Sequence, residues 1–417
     1  MSIGYACLIV GGLGTKLRTC REKNATYKVL SDLISSNLAA LDTMLDYNIE
    51  NEIKLFRISS DMIPFASHPV NTVKWWEEFS LELKELGKKA LSNNIRLSMH
   101  PGQYTVLNSP NEEVVARAVK DLSYHARFMD SLGLGKDHKI ILHIGGVYGD
   151  KTKAIQRFTS NYKTLDKNIK ERLVIENDDK QYNINDVLTI GLAEEIPVIF
   201  DNLHHKINLD MTHTETEWIS LCQATWKKVD GFQKIHYSQQ GTDKRPGSHS
   251  PTIELEDFMQ FYDKLMDKNI DIMLEVKDKN LSAIKCINAI ATQKINRLEK
   301  EWARYKYLVL EHSPQAYKEI RQLLKDKSVY SVIDFYKLID EAMNNPVTSG
   351  NAINAALHVW GYFKDSSDKK TRMSFEKMIN KVSMGESAIP IKRLLWTLAK
   401  DQEEEYLLDS LYFMNMV

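Results

Sequence analysis

Short apolar segments alternate with longer amphipathic segments over about the first 280 residues, and this alternation constrains the fold more than any other feature. We predict eight strands, over residues 3–10, 52–58, 94–100, 138–144, 172–177, 196–201, 233–237 and 270–276. Most are almost continuously apolar, as strands buried on both faces are. The segments between them, such as residues 30–49, place apolar residues at helical spacing. Eight uninterrupted strand–helix repeats predict an α/β fold, the (β/α)₈ TIM barrel, which needs about 250 residues.

After about residue 282 the pattern changes to helical segments alone. The sequence contains no solenoid repeat, and no low-complexity linker joins the two parts. We therefore predict a TIM-barrel domain over residues 1–299 and an additional C-terminal all-α domain over residues 300–417.

Candidate metal ligands end or directly follow six of the predicted strands. In a barrel of parallel strands the carboxyl ends share one face, where catalytic groups gather. A single histidine at a strand end is more often a hydrogen-bonded structural residue, whereas a buried carboxylate is costly without a cation or several donors. Six such groups at one barrel mouth predict a site for two or more divalent ions: His100, His143, Glu176, Asp201, His236 and Glu275.

Mixed histidine and carboxylate ligands favour Mn²⁺, Zn²⁺ or Fe²⁺ over Ca²⁺ without ranking the three. Such a centre generates hydroxide near neutral pH and stabilises both oxygens of an in-line displacement at phosphorus. Lys234 and His236 are two residues apart on one strand, so their side chains point to the same side. A lysine facing the barrel interior needs an anionic partner or a changed protonation state. His249 lies in a loop that can reach the same strand end.

Composition sets only modest bounds on function. The formal net charge is −1, which gives no electrostatic argument for nucleic acid. The four cysteines form no C-x-x-C pair, which is typical of reduced thiols in the cytoplasm. No apolar run approaches the roughly 20 residues of a membrane span, and the first residues lack a basic segment typical of a signal peptide. We expect a cytoplasmic monomer without membrane association.

Several motifs carry a family resemblance over about residues 3–285. They are FRISS at 56–60, PFASHP at 64–69, SMHPGQY at 98–104, HIGG at 143–146, END at 176–178, DNLHH at 201–205 and RPGSH at 245–249. In this order they resemble the ultraviolet damage endonuclease family of endonuclease IV-like barrels. The resemblance implies a metal-dependent enzyme that binds damaged double-stranded DNA. It would nick immediately 5′ to pyrimidine dimers or 6-4 photoproducts, leave a 3′-hydroxyl and so start excision repair.

The resemblance also implies metal ligands and catalytic residues. One ion would be held by His100, His143 and Glu176, and a second, bridged by Glu176, by Asp201, His236 and Glu275. A third would be held by His204 and His249, with Mn²⁺ the usual metal of the family and two to three ions in all. The implied catalytic residues are Glu176, Lys234 and His236, of which Lys234 matches a lysine that can be carboxylated.

The implied DNA contacts lie on three loops or strands. Gln103 and Tyr104 match a pair that wedges into the duplex opposite the lesion. Tyr5 matches a tyrosine near the extruded nucleotides. Lys244 and Arg245 are candidate phosphate contacts.

The C-terminal part resembles a different family. ALHVWGYF at 356–363, AIPIKRLL at 388–395 and YLLDSLY at 406–412 are similar to a small helical bacterial domain of unknown function. Two other functions remain open for the whole chain. A divalent-metal sugar isomerase would use similar ligands but would not need the exposed tip at Gln103 and Tyr104. A non-catalytic scaffold that binds damaged DNA would use the cluster only structurally.

Overall fold

The computed structural model describes residues 1–291 and 295–416, and the chain divides into two compact units. The first comprises Met1–Ile9 and Gly14–Ile284, and the second comprises Val10–Leu13 and Lys285–Val417. The predicted domain boundary between residues 299 and 300 falls within a helix, Ile295–His312. The positions of the domain ends therefore stay a prediction.

The first unit is a closed barrel of eight parallel strands in sequence order. The strands are β1 (Ile3–Ala6), β2 (Leu55–Ile58), β3 (Arg96–Met99), β4 (Lys139–His143), β5 (Leu173–Glu176), β6 (Val198–Asp201), β7 (Lys234–Tyr237) and β8 (Asp271–Leu274). Each lies within one of the eight predicted segments, and β1 pairs with β8 to close the sheet. The predicted (β/α)₈ TIM barrel is confirmed.

Helices connect the strands on the outside of the barrel. They are α1 (Tyr27–Glu50), α2 (Trp75–Glu78), α3 (Ser80–Ser92), α4 (Glu112–Ser131), α5 (Lys151–Thr164), α6 (Lys167–Lys170), α7 (Ile184–Glu194), α8 (Asn202–Ile207), α9 (Glu215–Gln223), α10 (Leu255–Lys264) and α11 (Asn280–Ile290). Local sequence fixes several starts. Asn111 caps α4 by accepting from the backbone of Glu113 and Val114. Asn183 and Asp186 form a capping box at α7.

Alternate strand residues fill the barrel interior in layers. An apolar layer contains Ile141, Val174 and Ile199, two residues before the strand ends of β4, β5 and β6. Nearer the amino ends, Arg96 pairs with Asp271 at 2.8 Å between Nη1 and Oδ2. The side chains at the carboxyl ends therefore rest on a packed interior rather than on an open channel.

Besides the end of α11, the second unit contains seven α-helices in the described part of the chain. They are α12 (Ile295–His312), α13 (Pro314–Leu323), α14 (Val332–Met343), α15 (Ser349–Trp360), α16 (Lys369–Ser383), α17 (Ile389–Asp401) and α18 (Glu405–Leu408). Their shared core includes Ala355, Val359, Phe375, Leu395 and Phe413. The predicted all-α character of this part is confirmed. Across the residues that the structure describes, no helix has the length and apolarity needed to cross a membrane.

Candidate metal centre at the barrel mouth

The carboxylate of Glu176, at the end of β5, lies among four imidazoles. Its Oε2 is 3.4 Å from His100 Nε2 and 3.8 Å from His143 Nε2. Its Oε1 is 2.7 Å from His236 Nδ1 and 3.8 Å from His204 Nδ1. Glu176 is buried at 1 % relative exposure. The barrel thus brings together, around one carboxylate, residues that come from four different strand ends or the loops after them.

Two groups of possible ligand atoms share this carboxylate. One consists of His100, His143 and Glu176, and the other of Glu176, Asp201 and His236. Within each group the ligand atoms all lie within 4.8 Å of one another. The first group has the residues of one expected ligand set, the second has three residues of the other, and Glu176 is common to both; their roles as ligands stay a prediction. Glu275 lies beside the second group, with Oε1 3.3 Å from His236 Nδ1.

The buried oxygens of this cluster fit divalent cations. Oδ1 of Asp201 accepts a hydrogen bond from the backbone of His204 at 2.7 Å, but its Oδ2 is buried and accepts none. Oε2 of Glu176 is likewise buried without a hydrogen bond. Unsatisfied buried carboxylate oxygens are costly, and bound cations offset that cost. Nitrogen and carboxylate oxygen donors together suit Mn²⁺, Zn²⁺ or Fe²⁺.

The cluster shifts the pKa values of its members in opposite directions. Burial raises the pKa of Glu176, but the imidazoles of His236 and His143 outweigh burial and hold it well below the usual value. Burial lowers the pKa of His143 to about 4. Burial also lowers the pKa of His204, but Asp201 and Glu176 outweigh it and raise that pKa to about 9. The site therefore separates charged from neutral groups over a few ångströms.

Arg57, at the inward-facing side of β2, is a site residue to which the sequence analysis assigned no role. Its Nη2 is 2.6 Å from Glu275 Oε1 and donates to His236 Nε2 at 2.8 Å. Burial raises the pKa of Glu275, but Arg57 outweighs burial and lowers it. In the sequence, the position of Arg57 in the FRISS motif, one residue before the end of its strand, could have indicated a role in the site. The pairing of Arg57 with Glu275 could not be predicted from that motif.

Lys234 lies deeper in the barrel than His236, on the same side of β7. It has no exposed surface, and its Nζ makes no hydrogen bond within residues 1–291 and 295–416. Burial, with Arg96 as the next cause, holds the pKa of Lys234 well below its usual value. The side chain thus lies in the interior, on the side that the strand-parity argument predicted.

The loop after β7 carries three further predicted site residues. His249 is half-buried and forms a backbone bridge with Gln240. No hydrogen bond, ion pair or ring contact joins the His249 ring to the other predicted ligands, among the residues described. Lys244 and Arg245 are exposed in the same loop. The pairing of His204 with His249 around a third ion stays a prediction.

Gln103 and Tyr104 form an exposed loop tip between two anchor points. Tyr104 is 83 % exposed. Before the tip, the carbonyl of His100 accepts from Ser60 Oγ at 2.7 Å. After it, Thr105 donates to Asp121 Oδ2 on α4 at 2.7 Å. The loop that carries the tip is therefore held at both ends.

The anchors share one face of α4. Asp121 also accepts from Ser67 at 3.2 Å, and His125 contacts Ser60 Oγ through Nε2 at 2.9 Å. A cavity of about 560 Å³ lies against this face, bounded by the loops after β2 and β3. Sequence reasoning missed Asp121 and His125 because they lie within a helix, away from any strand end.

Tyr5 is not part of the mouth. It has no exposed surface, and its hydroxyl donates to Asn48 Oδ1 on α1 at 2.8 Å. Its ring packs beside Phe56, with centroids 5.2 Å apart. The position corrects the expectation that Tyr5 lies near extruded nucleotides. Because β1 is buried on both faces, the sequence did not show which face the ring would take.

The fold and the cluster define a TIM-barrel protein with a candidate polynuclear metal centre at the carboxyl ends of its strands. Residues 12–306 match the family described as UV-endonuclease UvdE. The chain belongs to this family, which confirms the resemblance seen in its motifs. Residues 306–416 match a second family, described as protein of unknown function (DUF1722).

Similar proteins span most of the chain. A UV DNA damage endonuclease of Clostridium perfringens is 40% identical over 403 residues, which are 95% of this chain and 96% of that protein. One of Bacillus cereus (strain 03BB102) is 34% identical over 265 residues, 63% of this chain and 83% of that protein. The crystal structure of SacUVDE superposes with a TM-score of 0.66 at 42% identity, over 70% of this chain and 98% of that one. The similarity to the Clostridium protein thus includes the helical unit.

Proposed function

We propose that this chain is a metal-dependent DNA repair endonuclease that nicks the backbone immediately 5′ to UV-induced lesions. The lesions would be pyrimidine dimers and 6-4 photoproducts, and the nick would start excision repair. Family membership and the relatives' names support the substrate class. The observation that carries the proposal is the convergence of His100, His143, Asp201 and His236 on the buried Glu176.

The cluster would hold two to three divalent ions, with Mn²⁺ preferred and Zn²⁺ or Fe²⁺ as alternatives. Bound there, such ions lower the pKa of water and stabilise charge on the entering and leaving oxygens. In the hydrolysis, a water oxygen bonds to phosphorus and the bond from phosphorus to the 3′ oxygen breaks. The products are a 3′-hydroxyl and a 5′-phosphate.

The side chains of the mouth would orient these groups. Glu176 would be shared between two ions, and His236, with Nδ1 2.7 Å from Glu176 Oε1, would be a ligand of the second. Lys234 would act from beneath the cluster, where an uncharged amine is the form that carboxylation requires. His204 and His249 would hold the third ion.

Recognition of the lesion would depend on the exposed tip. Gln103 and Tyr104 can replace stacking that is lost when damaged bases leave the duplex, which costs least where pairing is already weak. Lys244 and Arg245, both exposed, would contact phosphates. A sugar isomerase would have no use for this tip, so the tip favours a nucleic-acid substrate. We further propose that the protein acts as a cytoplasmic monomer.

The test compares irradiated with unirradiated duplex, in Mn²⁺ and in EDTA. We expect a nick only in the irradiated duplex and only with metal. Glu176→Gln should abolish nicking because the shared charge is lost, while Glu82→Gln, at an exposed position on α3, should not. Substituting Gln103 and Tyr104 by Ala should weaken lesion binding more than metal binding.

Equal cleavage of both duplexes would exclude lesion specificity. Tight binding of irradiated DNA without a nick would favour the scaffold function. Retained turnover in Glu176→Gln would contradict its role between two ions.

A further inference from the structure

Charge is unevenly distributed along the helical unit. Residues 364–400 contain nine Lys or Arg and four Asp or Glu, whereas residues 401–409 contain five Asp or Glu and no basic residue. The net charge of the whole chain is close to zero, but the chain contains a basic segment that coincides with α16 and α17. A local basic surface can bind a polyanion even when net charge is close to zero.

Three lysines of α16 form one stripe. Lys370, Lys377 and Lys381 are seven and four residues apart, which places them within about 40° of one another around the helix. All three are exposed. Glu376, the one acidic residue within α16, lies about 120° from Lys370 around the axis. We call Lys370, Lys377 and Lys381 the lysine stripe.

The stripe is largely free of competing partners within the unit. Lys381 Nζ is 3.2 Å from Glu386 Oε2, but both side chains are about half exposed, and such pairs are weak. In the part of the chain that the structure describes, no side-chain hydrogen bond or ion pair holds Lys370 or Lys377, although Asp368 lies near enough to Lys370 to interact with its charge. On the neighbouring α17, Arg393 and Lys400 are exposed at the same seven-residue spacing. The two helices thus present more exposed basic than acidic side chains, and the acids near the stripe are themselves exposed.

We propose that the lysine stripe binds the phosphate backbone of duplex DNA, giving the chain a DNA contact outside the barrel. This inference rests on the proposed function for the presence of DNA. Lys370 and Lys381 are separated by about 16 Å along the helix axis, and a duplex of that length carries about ten phosphates. Lysines provide point charges for phosphate and do not read sequence. The stripe therefore fits DNA irrespective of the lesion.

The packing of α16 argues against an anionic membrane as the partner. A helix that lies in a membrane interface inserts a broad apolar face. Phe375 and Val382 of α16 are buried in the core of the helical unit, so they are not available for insertion into lipid. Met373 is exposed, but one side chain does not make a broad apolar face.

The test measures binding of the full chain to undamaged duplex in EDTA, by fluorescence anisotropy between 50 and 200 mM salt. Substituting Lys370, Lys377 and Lys381 by Gln should reduce the slope of log K against log salt by about 2.7, at 0.9 for each phosphate contact. The matched control substitutes three other exposed lysines of this unit, Lys318, Lys325 and Lys337, by Gln. It removes the same charge and should change the slope by less than one. Arg at the three stripe positions should keep the original slope.

An unchanged slope in the stripe variant, or an equal change in the control, would overturn the proposal. So would a loss of binding to phosphatidylserine vesicles with no change on DNA. Circular dichroism of both variants checks that the helices remain folded. Nicking of irradiated duplex is scored separately, because its absence in the unsubstituted chain would refute the proposed function while leaving the comparison of slopes valid.

Discussion

Removing the guanidinium of Arg57 should strongly destabilise the metal-free protein. Its Nη2 lies 2.6 Å from Glu275 Oε1 and 2.8 Å from His236 Nε2, and the Arg57 and Glu275 side chains are only 7% and 17% exposed. In Arg57→Met the apolar stem is largely kept, but Glu275 is left buried without its cation. Breaking such a pair costs about 3–5 kcal/mol of unfolding free energy.

Electrostatic attraction gives the same order of magnitude. Two unit charges about 4 Å apart attract by about 4 kcal/mol at the effective dielectric constant that describes protein sites best. If the cluster binds Mn²⁺, the bound ions supply positive charge beside Glu275 and His236. Binding to the native state alone also adds stability. The loss in Arg57→Met should therefore be at least halved when saturating Mn²⁺ replaces EDTA.

The measurement is urea unfolding of the full chain in EDTA and in Mn²⁺. Arg117→Met, at an exposed position of α4, is the matched control, and we expect a change of less than about 0.5 kcal/mol. A loss below about 1 kcal/mol for Arg57→Met in EDTA would contradict the role of Arg57 as the counter-charge. An equal loss in both buffers would show that bound ions do not share that role.

Two further predictions concern residues outside the ligand cluster. Asp121→Ala removes the acceptor for Thr105 and Ser67, so affinity for irradiated duplex should fall about tenfold, or 1.4 kcal/mol, while Mn²⁺ affinity stays unchanged. Fluorescence anisotropy measures the DNA affinity and Mn²⁺ titration measures the metal affinity. A matching loss of metal affinity would count against a separate role for the loop. Burial lowers the pKa of His138 to about 4, so the neutral imidazole contributes its full stabilisation above pH 6.5. This contribution to the unfolding free energy is lost as the pH falls toward 4, by about 2 kcal/mol between pH 7 and 5. Urea unfolding at both pH values should show a smaller difference for His138→Gln, and an undiminished difference would refute this reasoning.

The barrel was predictable because its sequence repeats one unit eight times. Each unit joins a short apolar strand to an amphipathic helix, and parallel closure follows from that order. The convergence of His100, Glu176 and Asp201 followed from a second regularity, because polar residues at the ends of buried apolar strands must face the one mouth. Neither step required knowledge of side-chain contacts.

Contacts that depend on barrel closure or on helix packing were not predictable in this way. The pairing of Arg57 on β2 with His236 on β7 joins residues 179 apart in sequence. In the closed barrel β8 and β1 lie between these two strands, so the pairing depends on the register of all four. The face taken by Tyr5 was ambiguous because both faces of β1 are apolar. Gly145 shows the same limit. Its φ of 110° and the nearby Asn108 explain why glycine stands two residues after His143, but only the structure shows that neighbour.

The proposed metal site and the proposed lesion-binding tip depend on contacts of different range, so metal binding and lesion binding should be separable by mutation. The ligand cluster joins residues such as Glu176 and His236, 60 apart in sequence, and it forms only when the barrel closes. The tip is held by a contact between Thr105 and Asp121, which are 16 residues apart on one loop and the helix after it. A substitution on α4 can therefore loosen the tip while the strands keep their register. A substitution at Arg57 should act in the opposite way, because it disturbs the charge balance of the cluster and leaves both anchors of the tip in place.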